Sequence, residues 1–152
     1  MEIFILLVLI FLNSLFVIAE ISLVSARRTR LEIFASKGKS SARTALELSE
    51  NPEVFLSAAQ IGITLIAILT GVYSGEKFGK DLQPVTAGIS FLQEYAEEIA
   101  TGIIVVIVTI LSIILGELIP KRIGLINAEK IAMAVAKPMK IFAKAVGCLL
   151  YT

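Results

Sequence analysis

Three apolar runs divide the chain. The first, Ile3 to Ala26, is interrupted by Asn13, Ser14, Glu20, Ser22 and Ser25. The second, Val54 to Tyr73, carries Gln60 and Thr64, and the third, Ile99 to Ile119, carries Glu117. Each has the roughly 20 residues that a helix needs to cross a bilayer. The pattern predicts an all-α membrane protein with spans at about 3–26, 54–73 and 99–119. Between the first two spans, "RTRLEIFASKGKSSARTALELSENPE" reads as two short helices punctuated by Gly38, with Asn51-Pro52 as a stop followed by a new helix start.

The tail has a different period. In "AEKIAMAVAKPMKIFAKAVG", Lys130, Lys137, Lys140 and Lys144 fall within an arc of roughly 80°, with Ile, Met, Val and Phe opposite. That is the pattern of a basic amphipathic helix lying in the headgroup plane and facing anionic lipid, bent or broken at Pro138. Residues 1–127 therefore read as one transmembrane unit and 128–152 as a juxtamembrane helix. Four lysines argue against a fourth span.

Charge sets the expected orientation. Arg27, Arg28, Arg30, Lys37, Lys39 and Arg43 stand against Glu32 alone, which places that segment in the cytoplasm. The segment from Gly75 to Glu98 is acidic, and basic residues return from Lys121 onward. Three spans with the N-terminus out and the C-terminus in satisfy all three segments. Glu2 precedes the first span and the cations follow it, which is not the order of a cleavable signal peptide. A multi-pass protein of the plasma (inner) membrane is expected.

Composition narrows the chemistry. The 152 residues are 57% hydrophobic and 18% charged, and the mean hydropathy is +0.88. A net charge of +1 gives no bulk attraction to nucleic acid. One cysteine and no histidine exclude a disulfide framework, a Cys/His zinc site and a His-based triad, so no enzyme is expected. Carboxylates, hydroxyls, amides and backbone carbonyls remain, and these suit hard cations.

Each span carries a small-polar stripe. Ser14, Ser22 and Ser25 share an arc of roughly 80°, Ser57, Gln60, Thr64 and Gly71 one of about 60°, and Thr109, Ser112 and Gly116 a similar one. Asn13 and Glu20 share another face of the first span. Such stripes face other helices. They predict a two-fold homodimer through the second and third spans, with Gly71, Gly102 and Gly116 allowing close approach. Glu117 is the sharpest signal, because a carboxylate in hydrocarbon costs several kcal/mol unless compensated. Pro120 has no N–H, so the Gly116 carbonyl can lose its intrahelical partner. A freed carbonyl, hydroxyls and one carboxylate suit a small divalent cation. Against this, a serine or threonine in a membrane helix commonly bonds back to its own backbone, and Glu20 can pair with a cation such as Arg27.

"NSLFVIAEISLVSARRTRLE", "ENPEVFLSAAQIGITL" and "GELIPKRIGL" resemble, in order and spacing, the transmembrane domain of the CorC/cyclin-M (CNNM) family of magnesium transport proteins. The resemblance covers essentially the whole chain. It implies a homodimer that holds and exports Mg²⁺, coupled in at least some members to Na⁺ entry. It also implies cytoplasmic CBS domains that bind ATP, which are expected to lie outside these 152 residues. Carried onto these residues, it points to Ser22, Ser25, Thr64, Gly116 and Glu117 as the metal site. Asn13, Glu20, Ser57, Gln60 and Ser112 are second candidates, and Pro120 is the helix break at the site. Mn²⁺ and Co²⁺ share the same oxygen ligands. The rival reading is a membrane anchor and dimeriser for cytoplasmic regulatory domains, without transport of its own.

Overall fold

The computed structural model describes residues 1–87 and 96–150, apart from the side chains of 79–87, 96–97 and 148–150. Among the described residues seven α-helices follow one another: α1 (Glu2–Ser25), α2 (Arg28–Ser36), α3 (Ser40–Glu50), α4 (Pro52–Ala87), α5 (Ala96–Ile113), α6 (Ile119–Ile126) and α7 (Ala128–Leu150). A π-helical turn, Ile114–Leu118, joins α5 to α6 without a break. Among the described residues three stretches are long and apolar enough to cross a membrane: Glu2–Ser25, Pro52–Phe78 and Glu98–Ile126.

Two expected boundaries move. The second helix was expected to end near Tyr73 but continues to Ala87, and the third runs beyond Ile119 to Ile126. Hydropathy marks where a helix stops being apolar. Backbone hydrogen bonding carries it further through helix-tolerant polar residues such as Glu76 and Lys77. Residues 88–95 of the expected outer segment lie outside the described residues. The short helices meet where expected, with Gly38 at φ 84° between α2 and α3, a left-handed conformation that glycine adopts without strain.

Close approaches fix how the spans pack. A side chain added at Gly62 of α4 would strike the Phe16 ring of α1, and one at Gly75 would meet Thr101 and Val105 of α5. Ile10 and Asn13 of α1 and Val108, Thr109 and Ser112 of α5 share a level with Ile63 to Gly71 of α4, so residue numbers on α4 fall as those on α1 and α5 rise, and α4 is antiparallel to both. Asn13 meets Gly116, and Gly124 meets Ile18 and Ile21, so α1 and the third span run parallel. This up-down-up order is what three consecutive crossings require.

The core lies at the end of the bundle where α1 finishes. Leu23 of α1, Leu31 of α2, Ala42, Ala45 and Leu48 of α3, and Phe55, Ala58 and Ala59 of α4 pack there with Ala132, Met133, Ala136, Met139 and Ala143 of α7. The structure adds protein contacts to the reading of the tail. Much of the apolar face of α7 packs on the other helices, while Ile141 stays 72% exposed. Lys130, Lys137, Lys140 and Lys144 are all exposed, but Lys140 is bound to Glu47 of α3 at 2.6 Å. Pro138 does not break the helix, which is continuous from Ala128 to Leu150. Pro138 sits on the rim of an apolar groove against Leu15, Phe16 and Ala19 of α1, where packing holds the helix despite one lost hydrogen bond.

Candidate cation site in the bundle

Pro120 explains the π turn. Its nitrogen occupies the place of the α-helical donor to the Gly116 carbonyl and of the π-helical donor to the Leu115 carbonyl, and it can donate to neither. The amide of Ile119 bonds instead to the carbonyl of Ile114, five residues back. Both orphaned carbonyls are served by α1. The Asn13 Nδ2 donates to the Gly116 carbonyl at 3.2 Å, and the Ser14 Oγ to the Leu115 carbonyl at 3.1 Å. Ser14 shares its hydroxyl with its own helix, at 2.8 Å from the Ile10 carbonyl. Gly116 is buried, and a Cβ there would lie 3.0 Å from the Asn13 amide nitrogen, so a larger residue would crowd the amide that serves this carbonyl.

Beside this junction, α1, α4 and α5 enclose a cavity of about 120 Å³. Its polar lining comes from Asn13, Thr70, Thr109, Ser112 and Glu117, and its apolar lining includes Ile10, Ile63 and Val108. Thr70 donates back to the Ile66 carbonyl at 2.7 Å. Two lining oxygens are different: Asn13 Oδ1 and Ser112 Oγ are buried and have no hydrogen-bond partner. The Asn13 orientation is fixed by chemistry, since only its NH₂ can bond a carbonyl. Its oxygen is therefore the atom left over. Leaving such a group unpaired costs on the order of 1–3 kcal/mol.

Glu117 has a partner. Its Oε1 accepts from Lys121 Nζ at 2.5 Å, one helical turn on. The side chains are 42% and 43% exposed, so the pair lies where the cavity opens to the surface of the single chain. Glu20 lies within electrostatic range of Lys121 and Glu117, and among the described residues it forms no ion pair with Arg27. The ion pair accounts for the Glu117 charge. It does not account for the two partnerless oxygens.

The candidate residues of the sequence therefore separate. Gly116, Glu117, Asn13 and Ser112 come together, and Glu20 lies close. Ser22 is fully buried and donates to the Ala19 carbonyl at 3.2 Å, the back-bonding alternative. Ser22 and Ser25 lie nine and twelve residues beyond Asn13, about 14 and 18 Å along the helix axis. Ser57, Gln60 and Thr64 line an open, largely apolar groove on the outer face of α4, away from the cavity. Gly116 is occupied within the chain and Gly71 lines the cavity. Of the three glycines expected at a dimer contact, Gly71 and Gly102 both have open space around them. Thr70 and Thr109 also line the cavity, and no sequence signal separates them from the other hydroxyls of the spans.

The profile of the cyclin M transmembrane N-terminal domain matches residues 4–152. A Synechocystis protein of the UPF0053 group is 43% identical over 151 residues, which is 99% of this chain and 34% of that protein. An uncharacterised Mycobacterium tuberculosis protein is 36% identical over 138 residues, 91% of this chain and 39% of that one. A Salmonella typhimurium protein named polyamine export protein is 33% identical over 139 residues, 91% of this chain and 31% of that one. The chain thus spans about a third of the length of these relatives. It is a membrane protein, and it belongs to the cyclin M transmembrane domain family.

Proposed function

We propose that this chain binds Mg²⁺ in the cavity between α1, α4 and the third span and carries it across the plasma membrane, outward, with Na⁺ entry as the coupled flow. The observation that supports this is the pair of partnerless buried oxygens, Asn13 Oδ1 and Ser112 Oγ, lining the same cavity as Glu117. Neutral oxygens with a single carboxylate suit a hard cation. Among the described residues there is no cluster of three or more acidic, His or Cys side chains of the kind that softer or more highly charged sites use. A volume of about 120 Å³ equals roughly four waters at their liquid volume, so Mg²⁺ would keep part of its hydration shell.

Lys121 supplies the charge logic. With no metal bound its ammonium neutralises Glu117, and an arriving cation takes over that role. Binding and release then exchange one counter-ion for another, and the carboxylate is never bare in hydrocarbon. The same contact favours a second reading. Glu117 accepts an alkylammonium, and a polyamine is an alkylammonium, as the Salmonella relative's name suggests for that protein.

Titration calorimetry of the purified chain and flux into proteoliposomes separate the readings. Saturable Mg²⁺ binding that spermidine at equal concentration does not displace, lost in Asn13→Leu and accompanied by Mg²⁺ flux, is the expected result. Displacement by spermidine moves the assignment to polyamines. Binding or flux wholly absent leaves the anchor role.

The orientation proposed is N-terminus out and C-terminus in. With Cys148→Ala as background, Ser40→Cys and Gln83→Cys are expected to label from opposite sides of the membrane with an impermeant thiol reagent. Labelling of position 40 from outside intact cells would refute it. The proposed assembly is a two-fold homodimer through the α4 groove. Ser57, Gln60 and Thr64 there present an amide and two hydroxyls to hydrocarbon unless a second copy covers them. The dimer predicts twice the chain mass in lipid nanodiscs.

A further inference from the structure

A second pocket lies at the opposite end of the polar chemistry, where the spans finish. α1 ends at Ser25 and α6 at Ile126, and because they run parallel both ends lie at one side of the bundle. There α2 faces the α6–α7 corner across an open pocket of about 290 Å³. Arg30 and Lys37 line it from α2 and Lys130 from α7, with one carboxylate, Glu129, among them. Glu129 lies 3.9 Å from Arg30 Nε, at the edge of ion-pair distance. Among the described residues, Lys37 and Lys130 form no ion pair. Lys39 adds a further cation nearby, 4.9 Å above the Phe34 ring. The pocket also adjoins the first turn of α7, a 23-residue helix whose N-terminal amides favour an anion.

Its walls are not those of a site for a soluble anion alone. Ile126 is 76% exposed and Ile33 54% exposed, both lining the pocket beside the cations. Cations and bare apolar side chains side by side, at the level where two spans leave the hydrocarbon, match a ligand that is anionic at one end and apolar at the other. We propose that this pocket holds the headgroup phosphate of an anionic phospholipid. Arg30, Lys37 and Lys130 face the phosphodiester, and Ile33 and Ile126 lie against the glycerol and upper acyl chain. Basic pockets between helices at a membrane boundary bind lipid headgroups by this combination of charge and greasy contact. The site joins α2 to the start of α7, so a bound lipid would tie the short helices to the third span. It does not depend on the cation cavity.

Native mass spectrometry of the whole chain tests this after release from nanodiscs of equal parts phosphatidylglycerol and phosphatidylcholine. Preferential retention of phosphatidylglycerol is expected. Arg30→Gln with Lys130→Gln should reduce it by about tenfold, since each cation near an anionic membrane contributes a severalfold preference. Glu129→Gln removes the competing carboxylate and should raise retention, which a loss of folding would not do. Lys77→Gln, on the far part of α4, should leave it unchanged. Equal retention of the two lipids, or retention insensitive to the Arg30, Lys130 and Glu129 changes, overturns the proposal. Release of the lipid by millimolar inorganic phosphate overturns it in favour of a soluble phosphate. Mg²⁺ binding measured on the same variants should not change, which keeps this outcome separate from that of the cation cavity.

Discussion

Glu117→Gln is expected to lower Mg²⁺ affinity by about a hundredfold or more, while the helical content and the fold are kept. The substitution preserves size and hydrogen bonding and removes the one negative charge that lines the cavity. A hundredfold corresponds to about 2.7 kcal/mol, just below the roughly 3–5 kcal/mol for breaking a fully buried charge pair, as suits a half-exposed carboxylate. Titration calorimetry reads it directly. Lys121→Gln should move affinity the other way, because the ammonium at 2.5 Å competes with the cation for the carboxylate. Acid should weaken binding in the parent and much less in Glu117→Gln, since proton and metal compete for the same oxygen atoms. Unchanged affinity in Glu117→Gln would reduce the Glu117–Lys121 pair to a structural contact.

Gly124→Val is expected to have the largest effect on the fold. A Cβ at Gly124 would overlap the Ile21 Cγ2 and lie 3.3 Å from the Ile18 carbonyl, which is backbone and cannot move aside. Ile21 is β-branched and held to few rotamers in a helix, so it cannot swing clear. Overpacking of this kind costs about 1–3 kcal/mol, and valine adds two more methyl groups. Thermal unfolding in detergent should show a clearly lower midpoint. Gly102→Ala, which has open space around it, should show none. Ile21→Ala combined with Gly124→Ala should recover much of the loss of Gly124→Ala alone. No recovery would mean that α6 does not pack on α1 at this level. Because the same contact sets the height of Gly116 against Asn13, Gly124→Val should weaken Mg²⁺ binding as well.

Local physics was written in the chain. Three runs of apolar residues determined three spans, because length and hydropathy decide what can sit in hydrocarbon. Gly38, Asn51-Pro52 and Pro120 marked where backbone hydrogen bonding is interrupted, and each does so in the structure. Glu117 stood out because an ionisable group in an apolar run always needs compensation. What the sequence did not determine was register between helices. Helical geometry put Ser14, Ser22 and Ser25 on one face but could not say which level of α1 meets Gly116. The tertiary contact chose Asn13 and Ser14, about 14 Å from Ser22 along the helix axis. Thr64 shares a helix with Thr70 but faces outward, because the closest packing of α4 runs through Gly62 and Gly75. The tail was amphipathic by pattern, yet an apolar face reads the same whether lipid or protein covers it. Only the packing of α7 on α1, α3 and α4 placed protein over much of that face. Periodicity fixes direction around one helix axis. The height at which two helices meet depends on small residues and side-chain shapes on both, and that information exists only when the helices are together.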